Sequence, residues 1–136
     1  MNSPIDLVML IDDNPDDNYL HSRLFKRMGV AREVTVFESA RDALAYLEDA
    51  LQAEGGAPWP DLVFLDINMP GMDGWDFLEA YESLGTTDNP VMIVMLSSSI
   101  IPEDAERANQ IDAISRFLNK PLTQAALDEI LDQHFQ

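Results

Sequence analysis

Five short apolar runs, each followed by a segment of helical period, limit what this chain can fold into more than any other feature. In order, IDLVMLI (Ile5–Ile11) precedes Pro15–Met28, and VTVF (Val34–Phe37) precedes Ala40–Leu51. LVFL (Leu62–Leu65) precedes Trp75–Tyr81, VMIVML (Val91–Leu96) precedes Pro102–Ala108, and RFL (Arg116–Leu118) precedes Gln124–His134. Strands that are apolar throughout, not alternating, are expected where a parallel sheet is covered on both faces. The repeat therefore predicts an α/β fold, a doubly wound five-stranded parallel sheet.

Helix boundaries are written into the same segments. Asn14 is placed to cap the first helix, with Pro15 at its first position and Gly29 after its end, and Leu20, Leu24 and Met28 recur on one side. Asp16 and Asp17 fall in the first turn, where carboxylates favour the unpaired N–H groups and the helix dipole. Ser39 caps the second helix, whose inward stripe reads Ala40, Ala43, Leu44, Leu47 and Leu51. Thr123 caps the last, with Leu127, Ile130 and Leu131 inward. The fourth helix, opening on Pro102, Glu103 and Asp104, has few large apolar residues and is expected to be weakly held.

The length, 136 residues, suits one domain spanning 1–136, with no output domain expected. AEGGAPWP (Ala53–Pro60) reads as a loop inside it, because apolar strands flank both sides. Eight Lys+Arg against 25 Asp+Glu give a net charge of −17, which repels nucleic-acid phosphates and anionic lipid, so neither nucleic acid nor membrane is an expected partner. The longest apolar run is far too short to span a bilayer, and the first residues do not resemble a signal peptide. With no cysteine, thiolate metal sites, disulfides and thiol nucleophiles are excluded, which suits a cytoplasmic location. His21 and His134 have no ligand-like spacing and read as surface groups.

In an open α/β sheet, ligands bind beyond the carboxyl ends of the strands. The first strand ends in Asp12 and Asp13, the third in Asp66, the fourth in Ser97 and the fifth near Lys120, so three carboxylates, a hydroxyl and an amine are expected to share a pocket. Clustered carboxylates repel one another unless a cation sits among them. Oxygen donors without His or Cys favour Mg²⁺. A phosphoryl group beside Asp66 would find a carboxylate nucleophile, with Lys120 balancing its charge and Ser97 hydrogen-bonding one oxygen.

Together MLIDDNP, FLDINMPGMDG, VMLSSS and FLNKPL resemble the receiver domain of bacterial response regulators, over Ile5 to about Phe135. The resemblance implies a flavodoxin-like (βα)5 fold with strand order 2-1-3-4-5. It implies Asp66 as phosphoacceptor, Asp12 and Asp13 as the Mg²⁺-holding pair, and Asn68 lending its backbone carbonyl to the metal. Ser97 and Phe117 match the hydroxyl and aromatic of the family switch, Lys120 the family lysine, and the bond before Pro121 is commonly cis. Asn68 and Ser99 occupy positions that tune phosphoryl lifetime. IDAIS before Phe117 and the extended Ala53–Pro60 loop depart from the commonest pattern without touching these residues.

The function implied is that of a single-domain regulator, a switch more than an enzyme, phosphorylated by a histidine kinase or phosphotransfer protein. Its output would be contact with a downstream protein through the fourth helix, fifth strand and fifth helix, as a monomer or weak homodimer. An intermediate carrier in a multistep relay and a phosphorylation-independent pseudo-receiver are the alternatives. A haloacid-dehalogenase-type phosphatase would want an acid two residues past Asp66, where Asn68 stands.

Overall fold

The structure is a computed structural model that describes residues 5–52, 58–84, 91–98 and 101–134. Ser99, Phe135 and most of the Ala53–Pro60 loop lie outside them, as does the side chain of His134. Strands β1 (Ile5–Ile11), β2 (Ala31–Phe37), β3 (Leu62–Asp66), β4 (Met92–Ser97) and β5 (Ile114–Asn119) alternate with helices. These are α1 (Pro15–Met28), α2 (Ala40–Gln52), α3 (Gly74–Ser83), α4 (Pro102–Asn109) and α5 (Gln124–His134). The five strands form one parallel sheet in the order β2-β1-β3-β4-β5, as the resemblance implied.

Side chains on successive strand residues point to opposite faces, and both faces are covered. Met9, Ile11, Val63, Leu65, Ile93 and Met95 meet α2, α3 and Ala108 of α4 on one side. Val8, Leu10, Leu62, Phe64, Val94 and Leu96 meet α1 and α5 on the other. This double covering is why β1, β3 and β4 read as unbroken apolar runs. The edge strands β2 and β5 are only partly buried and extend further toward their amino ends than VTVF and RFL suggest.

The caps act as the sequence implies. The Asn14 side chain accepts the N–H groups of Asp16 and Asp17, and Gly29 ends α1 at φ 62, a left-handed conformation in which a Cβ would be strained. Ser39 Oγ accepts the N–H of Asp42, and Thr123 Oγ1 that of Ala126. An Asp73–Asp76 capping box opens α3.

Three expectations fail. Leu20 and Leu51 are exposed instead of inward, whereas His21 is buried. In α1 the buried positions are Asn18, His21, Leu24 and Phe25, so the inward face is rotated from the Leu20–Leu24–Met28 row toward two polar residues. Leu51 lies in the last turn of α2, beyond the core contacts of Leu44 and Leu47. The weak hold on α4 is confirmed: Ala108 is its buried residue, no side chain caps its start at Ile101, and Arg107 lies over the Trp75 ring at 4.4 Å.

Candidate functional site

The carboxyl ends of β1 and β3 are adjacent in the sheet where the winding reverses, so their terminal residues come together. Asp12 directly follows β1, held by its N–H donating to the Phe37 carbonyl at 3.0 Å, and Asp66 closes β3. One carboxylate oxygen from each of Asp12, Asp13 and Asp66 lies within 4.8 Å of the others; Asp12 and Asp66 are buried and Asp13 is exposed. Ser97, fully buried, ends β4. Lys120 follows β5, and its N–H donates to the Ser97 carbonyl at 2.8 Å.

Lys120 Nζ reaches over the cluster. It lies 2.6 Å from Asp12 Oδ2, 2.8 Å from Asp17 Oδ2 and 3.3 Å from Asp66 Oδ1. Burial would depress the pKa of this amine, but its hydrogen bonds to Asp12 and Asp17 and the charges of Asp12 and Asp66 outweigh burial and raise it, leaving it a fixed cation. Asp66 moves the other way. Burial foremost, then repulsion from Asp12, pushes its carboxyl up to about 6, against the pull of Lys120 and of the Asn68 backbone N–H. One lysine does not neutralise this cluster.

Those observations test the fit of a metal. The donors are all carboxylate oxygens, they are grouped from separate strand ends, and their mutual repulsion is only partly relieved. Hard oxygen donors of this kind suit a divalent cation such as Mg²⁺. The pocket thus could hold a metal through Asp12, Asp13 and Asp66. Asn68 is exposed just beyond Asp66. Phe117 is half-buried against the α2–α3–α4 side of the core and pairs in register with Met95, two residues before Ser97. The Lys120–Pro121 peptide is cis, as the resemblance implied.

All seven residues picked out from the sequence lie in or beside this end of the sheet. Three neighbours were missed. Asp17 was read purely as a helix-start residue, yet it binds Lys120. Asn18 Nδ2 donates to the Asp12 carbonyl at 2.8 Å, and His21 Nε2 accepts the Leu122 N–H at 3.3 Å. The signal for them was positional: Asp17 and Asn18 lie four and three residues before His21 on α1, the spacings that bring side chains together on a helix surface, and His21 in turn lies three and four residues before buried Leu24 and Phe25.

A doubly wound parallel sheet with buried acids and a lysine gathered at its switch point belongs to the α/β class that binds ligands at that edge. The response regulator receiver domain family matches residues 8–132, and the chain belongs to that family. A two-component response regulator from Cytophaga hutchinsonii shares the fold at a TM-score of 0.86 and 30% identity, covering 95% of this chain and 96% of that one. The chemotaxis protein CheY4 of Vibrio cholerae gives a TM-score of 0.73 at 25% identity, covering 95% and 98%. Two-component response regulator ORR1 of Oryza sativa subsp. japonica is 31% identical over 117 residues, 85% of this chain and 49% of that protein. Hybrid signal transduction histidine kinase D of Dictyostelium discoideum is 29% identical over 103 residues, 74% of this chain and 6% of that protein. The chain therefore spans half or much less of these two curated relatives.

Proposed function

We propose that this receiver accepts a phosphoryl group on Asp66 from a phosphohistidine, with Mg²⁺ held by Asp12, Asp13, Asp66 and the Asn68 carbonyl. Receiver domains interact with histidine kinases and phosphotransfer proteins, and either would serve as donor. The observation that carries the reading is the grouping of three carboxylates within 4.8 Å under the amine of Lys120. An Asp66 carboxylate oxygen would bond to phosphorus as the donor's P–N bond breaks, the imidazole keeping the electron pair and taking up a proton. When bound, Mg²⁺ supplies the positive charge that lets a phosphoryl group approach buried acids. Lys120 would ion-pair with the transferred group and the Ser97 hydroxyl would donate to one of its oxygens.

Such chemistry is mainly positioning and charge balance, in keeping with a signalling module. The changed charge would be felt first by Ser97 and Lys120, then by Phe117 and α4, whose hold on the core is slight. The output is accordingly proposed to be protein contact at the α4–β5–α5 surface of a single-domain regulator. The test is intact mass after incubation with acetyl phosphate and Mg²⁺. One added phosphoryl group is expected in the wild type and none in Asp66→Asn or in excess chelator. Undiminished labelling of Asp66→Asn would overturn the acceptor, and labelling that persists in chelator would overturn the metal. A pull-down whose partners ignore phosphorylation would argue against a gated output.

A further inference from the structure

We propose that one turn of α1, through Asn18 and His21, is the brace that sets Lys120 against Asp12, which makes both of them positioning residues for phosphoryl transfer. This rests on the reading of Asp66 as phosphoacceptor. The sheet alone does not fix that spacing. β1 and β5 are separated by β3 and β4, about 14 Å at about 4.8 Å per strand, so no ladder joins them. Yet Lys120 Nζ, carried at the exit of β5, lies 2.6 Å from Asp12 Oδ2 at the exit of β1. α1 reaches both exits. Asn18 Nδ2 donates to the Asp12 carbonyl at 2.8 Å, and one turn further on His21 Nε2 accepts the Leu122 N–H at 3.3 Å.

The Lys120 N–H is taken by the Ser97 carbonyl and Pro121 has no N–H, so Leu122 supplies the next backbone donor of this loop, and its bond to His21 ties the loop to α1. His21 is buried, and burial foremost lowers its pKa against the charges of Asp17 and Asp12, so the ring is neutral at pH 7.5. With Nε2 accepting, its proton sits on Nδ1. Asn18 is buried as well. The Asp12 carbonyl can only accept, so the amide nitrogen faces it and Oδ1 is left without a donor among the described residues. A buried acceptor without a donor disfavours folding. Stability alone therefore does not explain an asparagine here, whereas its hold on Asp12 does.

The two residues predict different losses. His21→Leu fills the buried space without an acceptor and frees the Lys120 loop from α1. Its initial rate of acetyl phosphate labelling at saturating Mg²⁺ should fall about tenfold, short of the roughly hundredfold that a misplacement of about 1 Å can bring. Its Mg²⁺ binding, measured by calorimetry, should be no weaker than in the wild type, because the carboxylates are untouched. His21→Gln returns an acceptor near the Nε2 position and should recover most of the rate. Asn18→Leu loosens Asp12 and should weaken Mg²⁺ binding about tenfold, the lower range for losing an outer partner of a metal ligand. A merely structural role would lower the urea midpoint of these variants without this split. In the wild type at pH 7.5 the ring ¹⁵N spectrum should show a neutral His21 with its proton on Nδ1, a result that needs no variant to fold. A proton on Nε2, equal rates in His21→Leu and wild type, no recovery in His21→Gln, or unchanged Mg²⁺ binding in Asn18→Leu overturns the proposal. A wild type that never labels removes the Asp66 reading and this one with it; normal wild-type labelling beside insensitive variants removes this one alone.

Discussion

Asp66 should weaken the metal-free fold, and Asp66→Asn should strengthen it. Its carboxyl is held at about 6, against an ordinary 3.8, by burial and then by the charge of Asp12. Between those two values the folded chain binds more protons than the unfolded chain, so the contribution of Asp66 to stability falls as pH rises and is fully unfavourable above about 6. A gap of about two pH units corresponds to about 3 kcal/mol, at about 1.4 kcal/mol per unit. Asparagine keeps the shape and leaves Lys120 its bonds to Asp12 and Asp17, so a gain of about 1–3 kcal/mol is expected at pH 7.5 in chelator. At urea slopes of about 1–3 kcal/mol per molar this moves the midpoint by about 1 M, readable through the fluorescence of Trp59 and Trp75. The gain should shrink as pH falls from 6 toward 4. Equal midpoints at pH 7.5, or a gain independent of pH, would show that charge repulsion is not what this site stores.

Other outcomes follow from single contacts. A Cβ on Gly74 would lie 2.8 Å from the Asp66 carbonyl oxygen and 3.0 Å from the Ile67 Cα. Gly74→Ala should therefore cost about 1–3 kcal/mol in urea titration and lower acetyl phosphate labelling by displacing the acid above it, and unaltered labelling would contradict the second part. For His21, burial foremost lowers the pKa against the opposing charges of Asp17 and Asp12. The unfolded chain then binds the proton more readily, so the stability this residue contributes is complete above about pH 6.5 and is lost as pH falls below it. The difference in urea midpoint between wild type and His21→Gln should change between pH 7.5 and 5.5, and a constant difference would refute the assignment. Arg107→Ala removes a cation from the Trp75 ring and should speed amide exchange in α4 by up to about fivefold, equivalent to about 1 kcal/mol. Unchanged exchange there would mean that the contact does not tether the helix.

Much of this molecule could be read from its residues because independent signals agreed. Apolar runs gave the five strands, and Asn14, Ser39, Thr123 and Gly29 marked helix ends through short-range backbone chemistry. The site was legible because its residues sit at strand ends, which a parallel sheet brings to one edge whatever the details of packing. What could not be read depends on how a helix is rotated about its own axis. The Leu20–Leu24–Met28 row and the Asn18–His21–Phe25 side compete in α1, and hydrophobicity alone favours the former. The latter faces inward because Asn18 and His21 satisfy buried backbone groups at Asp12 and Leu122, partners more than 100 residues apart in the case of His21. Asp17 escaped notice for a related reason: a local explanation was sufficient, and its distant partner Lys120 was invisible.

Burial also governs where a change of charge at Asp66 can be expressed. β1, β3 and β4 are almost wholly buried, and interiors packed to this density yield little without large cost. β5 is partly exposed along its length, is irregular in its pairing with β4 between Ile93 and Val94, and is overlain by a helix with one buried residue. α5 does not share this looseness, because Leu127, Ile130 and Leu131 fix it to the opposite face. New charge beside Lys120 would therefore be relieved on the β4–β5–α4 side, the side on which the proposed output surface lies.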